Sequence, residues 1–366
     1  MLSAILAAHA ASVTLSPGDD VASLTASLQP GDEVVFQAGT YTLPDTVYWS
    51  GLGTENAPIV LRGEGDVVLE LSAGWAVAYL ATSTFVRIEN LTFRAATGNS
   101  SGHSGLVLDD VSDVTLTDVE IGPVTGTGLY LAGNNARVTV TRTHIHDTTD
   151  GNGVYVGCGD ASCWTEASTF AELWIHDIGG DGHGIELEPG CQGVSVRDNV
   201  LYRVTGWGLV TDSTEYGDRN TLEGNAVWET TGGGVYARGS ALIRNNVVFN
   251  SAGNGLRLTD GDRGTLADTV VSFNTVADTA DDAVEIHDWA GYTGLVFANN
   301  VIANPTGRGL YFNAAGHDDA TYISGNVVTG LVEGLNPAYA GAADPILDGG
   351  GLLGFARPAH GHARDP

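Results

Sequence analysis

Between residues 144 and 236 the sequence gathers the side chains best suited to chemistry. His176 and His183 titrate near neutrality and can act as general base or acid, and Asp177, Asp181 and Glu186 can take or give a proton beside them. Arg203 is a permanent cation able to neutralise a substrate carboxylate. His146, Tyr155, Tyr202, Trp207, Trp228 and Tyr236 add rings. A groove walled by rings, with carboxylates and an Arg for polar contacts, is what a glycan needs, because sugars offer apolar faces as well as hydroxyls.

These residues recur with the period of a repeat. A Gly-x-Gly turn followed by an apolar-x-apolar triplet reads GTGLYL from Gly126, GNGVYV from Gly151, GHGIEL from Gly182, GWGLVT from Gly206, GGGVYA from Gly232, GNGLRL from Gly253 and GRGLYF from Gly307. Ahead of each later triplet stands an Asn between two short apolar runs: Asn199, Asn225, Asn246, Asn274, Asn300 and Asn326. Leu91, Val119, Thr143 and Leu173 hold that register in earlier repeats. Each repeat contains two or three short strands with alternating polarity, punctuated by Gly, Asn or Asp, and no convincing helix. Coils of about 25 residues with this pattern cannot bury a face alone and must stack on their neighbours. The expected fold is therefore all-β, a single-stranded parallel β-helix of about 10–13 coils. The asparagines then form an internal ladder, each amide bonding to the next, which is structural and not catalytic.

Stacking turns each position of the repeat into a column. Three residues beyond the Asn register the column is His146, His176, Tyr202, Trp228 and Phe249; the next position holds Asp147, Asp177 and Arg203. The outward middle of the triplets is Tyr130, Tyr155, Glu186, Val210, Tyr236, Arg257, Glu285 and Tyr311, and His183 and Trp207 sit inside the Gly-x-Gly turns. Asp147 and Asp177 share one register in adjacent coils, as do Asp150 and Asp181. Like charges so close are unfavourable unless solvent screens them, one carboxyl is protonated, or a cation intervenes. Ordinary turn aspartates, calcium bound at Asp147, Asp150, Asp177 and Asp181, and acid–base catalysis are three open readings.

The remaining organisation is brief. Residues 1–11, MLSAILAAHAA, are small and apolar and read as a short signal peptide, although no positive segment precedes the apolar run. Residues 12–340 are the β-helix domain, with a capping segment and irregular coils over 12–84 and regular coils over 85–340. DDVASLTASLQ is a candidate short N-terminal capping helix, and 341–366 an irregular C-terminal cover or tail. Cys158 and Cys163 enclose a short loop that a disulfide would suit in an oxidising compartment, and Cys191 is left over. The expected location is bacterial and extracytoplasmic: secreted, periplasmic or on the cell surface.

Composition removes whole classes. The 366 residues carry a formal charge of −29, and all 15 basic residues are Arg. A chain with no Lys has no P-loop or Schiff-base lysine, and one so acidic does not bind nucleic acid. No stretch is long and apolar enough to span a membrane. Mutual repulsion disfavours pairing, so a monomer is expected.

PGDEVVFQAGTY, NAPIVLRGEGDVVLEL and VRIENLTF, with the coils IHDTTDGNGVYVGCGDASC and IHDIGGDGHGIELEPG, resemble the right-handed parallel β-helix proteins of the pectin-lyase superfamily. Within it the chain is similar to the chondroitinase B and alginate lyase branch and to secreted bacterial β-helix proteins of unassigned activity. The resemblance implies right-handed coils and a polysaccharide partner. It carries no residue roles, since that branch uses a Lys/Arg pair with calcium and this chain has no Lys; Arg203 could serve one half. GHG at 182–184 and DD at 281–282 stand in the reverse order of the pectin-hydrolase pattern and are accidental. The expectation is a carbohydrate-active enzyme, lyase or glycoside hydrolase, working on a long polysaccharide along the central coils. For a lyase, His176, His183, Tyr155 or Tyr202 would be the base, with Arg203 or calcium neutralising the uronate. The alternative is a non-catalytic glycan-binding or cell-surface scaffold.

Overall fold

The computed structural model describes residues 11–95, 102–213, 217–287, 289–313, 321–335 and 347–348. Most of the expected signal peptide and nearly all of the expected tail lie outside them. The chain winds into an all-β parallel solenoid of about 11 turns. Each regular turn lays down three strands, and each strand pairs in parallel with its counterparts in the turns before and after, which builds three long faces.

The first face runs through Val86–Glu89, Thr115–Thr117, Thr139–Thr141, Thr169–Ala171, Ser195–Arg197 and Asn220–Glu223. The second runs through Thr92–Ala95, Glu120–Ile121, His144–Thr148, Trp174–Ile178, Val200–Val204, Ala226–Thr230 and Val247–Phe249. The third runs through Ser104–Asp109, Leu129–Ala132, Val154–Val156, Ile185–Leu187, Trp207–Asp212, Gly233–Arg238 and Asn254–Thr259. The N-terminal coils already obey this register. Glu33–Leu43 and Ile59–Leu71 are long strands that turn a corner without breaking, with a register shift between Gln37 and Gly39.

Alternation puts one residue of each pair inside. Val140, Phe170, Val196, Leu222 and Ile243 stack beneath the first face and Ile145, Ile175, Leu201, Val227 and Val248 beneath the second, all fully or almost fully buried. At the corner before the second face the six asparagines form the expected ladder. Each of Asn199, Asn225, Asn246, Asn274 and Asn300 donates an amide N–H to the Oδ1 of the next, at 2.9 to 3.0 Å. The same oxygens accept the backbone N–H of the coil before, at 3.0 to 3.1 Å.

The expected capping helix is reduced to one turn, Val21–Leu24, with Asp20 accepting from the Ser23 N–H. Thr25 closes it: its hydroxyl donates to the Val21 carbonyl at 2.8 Å and accepts from the Trp49 indole at 2.9 Å. A side chain committed to both partners favours the turn over continuing the helix. The expected helix over DDVASLTASLQ therefore does not form beyond this single turn.

Asn246 also donates to the Leu222 carbonyl at 2.8 Å. Asn246→Ala would strand that carbonyl and the Asn225 donors in the core. Urea unfolding followed by circular dichroism should show a loss of about 3 kcal/mol or more, since each orphaned buried group costs ~1–3 kcal/mol. An unchanged midpoint would deny the ladder its structural role.

Candidate functional site

The solenoid divides the sequence-predicted residues between two faces. On the second face the ring column forms as expected: His146, His176, Tyr202, Trp228 and Phe249 pair in register. Successive ring centroids are 5.6, 5.0, 4.8 and 5.5 Å apart, and the planes lie within 20° of parallel. Rings stacked this way spend their faces on one another and turn edges to solvent. That disposition stabilises the wall, and it leaves His146, Tyr202 and Trp228 without the free faces that sugar stacking requires.

The adjoining column is equally occupied. Asp147, Asp177, Arg203, Glu229, Asn250 and Asp278 all have φ between 51° and 56°, a left-handed bend. Asp and Asn tolerate that region better than most residues, which accounts for part of the aspartate periodicity. Arg203 Nε and Nη2 each lie 2.6 Å from Asp177, whose Oδ2 also meets His176 Nδ1 at 2.6 Å. The Arg203 guanidinium, and then the His176 ring, hold the Asp177 carboxyl down at about 2. Asp177 and Arg203 therefore satisfy each other.

The third face is different in kind. Three outward positions per strand, in adjacent coils, make a small grid. The first column holds Asn152, His183 and Trp207, the second Tyr155, Glu186, Val210 and Tyr236, and the third Glu188, Asp212 and Arg238. Asn152 donates to Glu186 Oε2 at 2.8 Å and accepts the His183 N–H at 2.6 Å. The Trp207 N–H donates to His183 Nδ1 at 2.9 Å, so the neutral ring carries its proton on Nε2, 3.8 Å from Glu186 Oε1. Arg238 Nη2 lies 2.8 Å from Asp212 and 3.5 Å from Glu186. The Trp207 indole lies across Gly233, where a Cβ would come within 2.3 Å of the ring.

Loops close one edge of the grid. The disulfide Cys158–Cys163 ties one of them, and Arg263 reaches from a later coil to donate to the Asp160 carbonyl at 3.1 Å. Gly261 packs so tightly that a Cβ there would stand 2.9 Å from Asp212 Oδ1. Glu186, Glu188 and Asp212 end up only 8%, 9% and 4% exposed. Burial pushes Asp212 up to about 7 in spite of Arg238. Glu186 is raised by burial, and Glu188 by burial and by the charge of Glu186. Burial also lowers His183 and raises the Tyr155 hydroxyl, which faces Glu188. Toward the N-terminal end the grid opens into a shallow cleft of about 400 Å³ lined by Tyr130, Tyr155, Asp150, Asn152 and Asp181.

His183, Glu186, Tyr155, Trp207 and Tyr236 thus converge, with Asp150 and Asp181 at the cleft beside them. His146, Asp147, His176, Asp177, Tyr202, Arg203 and Trp228 belong to the other face. The four aspartates considered for calcium do not come together as one set. Sequence reasoning missed Glu188, Asp212 and Arg238, whose signal was alternation: two residues past an outward triplet centre, the side chain points outward again. It missed Glu120, His144 and Trp174 for the same reason, two residues before the ring column.

The fold is matched by known proteins. The family model for the right handed beta helix region matches residues 76–266 and 215–328. No curated protein matches the sequence. An alginate lyase from Paenibacillus sp. str. FPU-7 superimposes with a TM-score of 0.52 at 17% identity, covering 86% of this chain and 98% of the lyase. A mannuronan C-5 epimerase A-module from Azotobacter vinelandii gives 0.58 at 16% identity over 82% of this chain and 87% of the module. The catalytic domain of a GH87 α-1,3-glucanase, in complex with nigerose, gives 0.57 at 10% identity over 80% of this chain and 64% of that domain.

Asp212 links the site to stability. Its folded pKa lies above its unfolded value, so its contribution is full below about pH 4 and is lost as pH rises through about 7. Asp212→Asn, which mimics the protonated acid, should match wild type in thermal midpoint near pH 4–5 and exceed it increasingly toward pH 8. Parallel profiles would contradict the burial-driven shift.

Proposed function

The chain belongs to the right-handed β-helix region family, and on that premise we propose that it is an extracytoplasmic carbohydrate-active enzyme that hydrolyses a long, neutral polysaccharide along its third face. The observation that carries this reading is the Glu186–Glu188 pair: two carboxyls at alternate outward positions of one strand, both buried and both raised, in the middle of a face lined by Tyr130, Tyr155, Tyr236 and Trp207. Titratable groups with perturbed protonation beside a cleft are candidates for catalysis. The polysaccharide lyase, epimerase and glucanase neighbours support a carbohydrate substrate.

In this mechanism one member of the pair, raised by burial, carries a proton. The protonated member gives it to the leaving glycosidic oxygen, and the water that attacks the anomeric carbon gives up a proton that returns to the pair. The products are a new reducing end and a free hydroxyl, and the pair's proton is restored. The Asn152 amide fixes Glu186, with His183 Nε2 at 3.8 Å from it, and the Asp212–Arg238 pair behind them sets the local charge. Three carboxyls around one guanidinium, on a chain of net charge −29, favour a neutral glycan over a polyuronate. His176, Asp177 and Arg203 are left out because they satisfy one another on another face.

The same face carries a second group of rings four rungs away. Tyr48, Tyr79 and Trp75 make edge-on contacts, with Tyr48 55% and Trp75 42% exposed. At ~4.8 Å per rung, Tyr79 is roughly 19 Å from Glu186, a spacing that suits remote subsites of a long chain. The Cys158–Cys163 disulfide fits an oxidising compartment. Calcium, if it serves the site, is best placed at Asp150 and Asp181 on the cleft rim.

The test is digestion of a panel of neutral glucans and polyuronates, with and without calcium, followed by reducing ends and by the ultraviolet absorbance of unsaturated uronates. Reducing ends without that absorbance are expected. Glu186→Gln and Glu188→Gln should each lose about 10²–10⁴-fold in rate, with His176→Gln near wild type. New absorbance would replace hydrolysis by β-elimination. Binding without cleavage of any substrate would make this a glycan-binding scaffold.

A further inference from the structure

The second face holds a cluster that the proposed hydrolysis does not use, and we propose that Glu120, His144 and His146 bind one divalent transition-metal ion of the zinc class. The three come from two adjacent coils. His144 and His146 are alternate outward residues of the strand His144–Thr148, and Glu120 is in register with His144 on the coil before. One ligand atom of each lies within 4.8 Å of the other two, the only such group of His, Cys, Asp or Glu among the described residues. His146 Nε2 is already 3.2 Å from Glu120 Oε1.

The surroundings are those of a ligand set rather than of a chance stack. The other nitrogen of His146, Nδ1, is 2.7 Å from the Asp147 carboxylate, the arrangement that orients imidazoles at metal centres. Gly122 opposes His146 in the coil before; a Cβ there would lie 3.3 Å from His146 Cγ and 2.0 Å from its carbonyl oxygen. Glycine is needed there chiefly by the close approach of the His146 backbone, and it also leaves the ring uncrowded. Trp174 stacks on His144 at 4.2 Å and 11°, fixing its plane. His176 Nε2 is 2.8 Å from His144 Nε2, with its own Nδ1 anchored on Asp177, so a further imidazole stands beside the set.

The donor chemistry selects the ion. Two imidazoles and one carboxylate suit Zn²⁺ or its neighbours and are poor ligands for Ca²⁺, which takes oxygen almost alone. Three protein ligands leave a fourth position open, and the Glu120 side chain is 46% exposed, so the ion would be reachable from solvent. This inference stands apart from the hydrolytic site, with which it shares no residue.

The test titrates the full-length protein, stripped with chelator, with ZnCl₂ by calorimetry and with CoCl₂ by visible absorption. The sequence pair His360 and His362 offers competing imidazoles, so every titration is repeated in a His360→Ala/His362→Ala background. One Zn²⁺ per chain is expected in both backgrounds, with Co²⁺ bands to match. His146→Gln and His144→Gln should abolish both, and Asp147→Asn should weaken binding by about 10–100-fold. CaCl₂ should neither bind there nor compete. Wild-type affinity retained in the His144→Gln/His146→Gln double variant would overturn the site, as would no Zn²⁺ uptake once the tail histidines are replaced. Circular dichroism of each variant guards against unfolding, which outward side chains make avoidable. Activity on glycans is read separately and decides only the third-face mechanism.

Discussion

One constraint organises the molecule: every coil must meet the next in parallel register, residue for residue. A position in the repeat is therefore never a single environment but a column with a neighbour of the same kind at about 4.8 Å on either side. Inside, that geometry suits groups that can serve their own copies. Aliphatic side chains pack on aliphatic side chains, and an amide both gives and accepts, so Asn199 through Asn326 bond in series with few buried groups left over. Outside, the same geometry brings like against like. Rings gain from it and stack. Acids do not, and each acidic column has to answer the repulsion.

The answers differ by face. At the bend after the second face, Arg203 follows Asp177 and neutralises it, as Arg137 does Asp113 and Arg142 does Asp118 at the bends on either side of the first face. Those pairs are exposed, bidentate and chemically finished. On the third face, Glu188 and Asp212 are consecutive in their column with Glu186 beside them, and one guanidinium, Arg238, serves the cluster. There loops shut out water, and burial raises all three carboxyls, Asp212 up to about 7. Carboxyls raised toward neutral pH are what acid–base chemistry requires.

The fold was legible because it rests on periodicity, which survives in sequence whatever the identity of each residue. The Gly-x-Gly turns, the alternating triplets and the Asn register located the columns, and Tyr130 to Tyr311 proved to be one line on one face. The site was legible only in part. His183, Glu186, Tyr155, Trp207 and Tyr236 were found because they lie in the turn or at the triplet centre. Glu188, Asp212 and Arg238 lie one alternation further on, where the triplet pattern ends. The division of the reactive residues between faces was hidden for another reason: sequence proximity along one coil, as between His176 and His183, spans a corner of the solenoid. Nor could the sequence say that the His146–Phe249 rings would lie parallel, with their faces consumed.

The account's central claim is that glycan chemistry belongs to the third face and not to the ring ladder of the second. The most direct measurement is a crystal structure of the Glu186→Gln variant soaked with a neutral oligosaccharide long enough to cover several rungs. The account predicts sugar density running along Tyr130, Tyr155 and Tyr236, with a glycosidic oxygen beside Glu188. Density lying instead along Tyr202, Trp228 and Phe249 would contradict it.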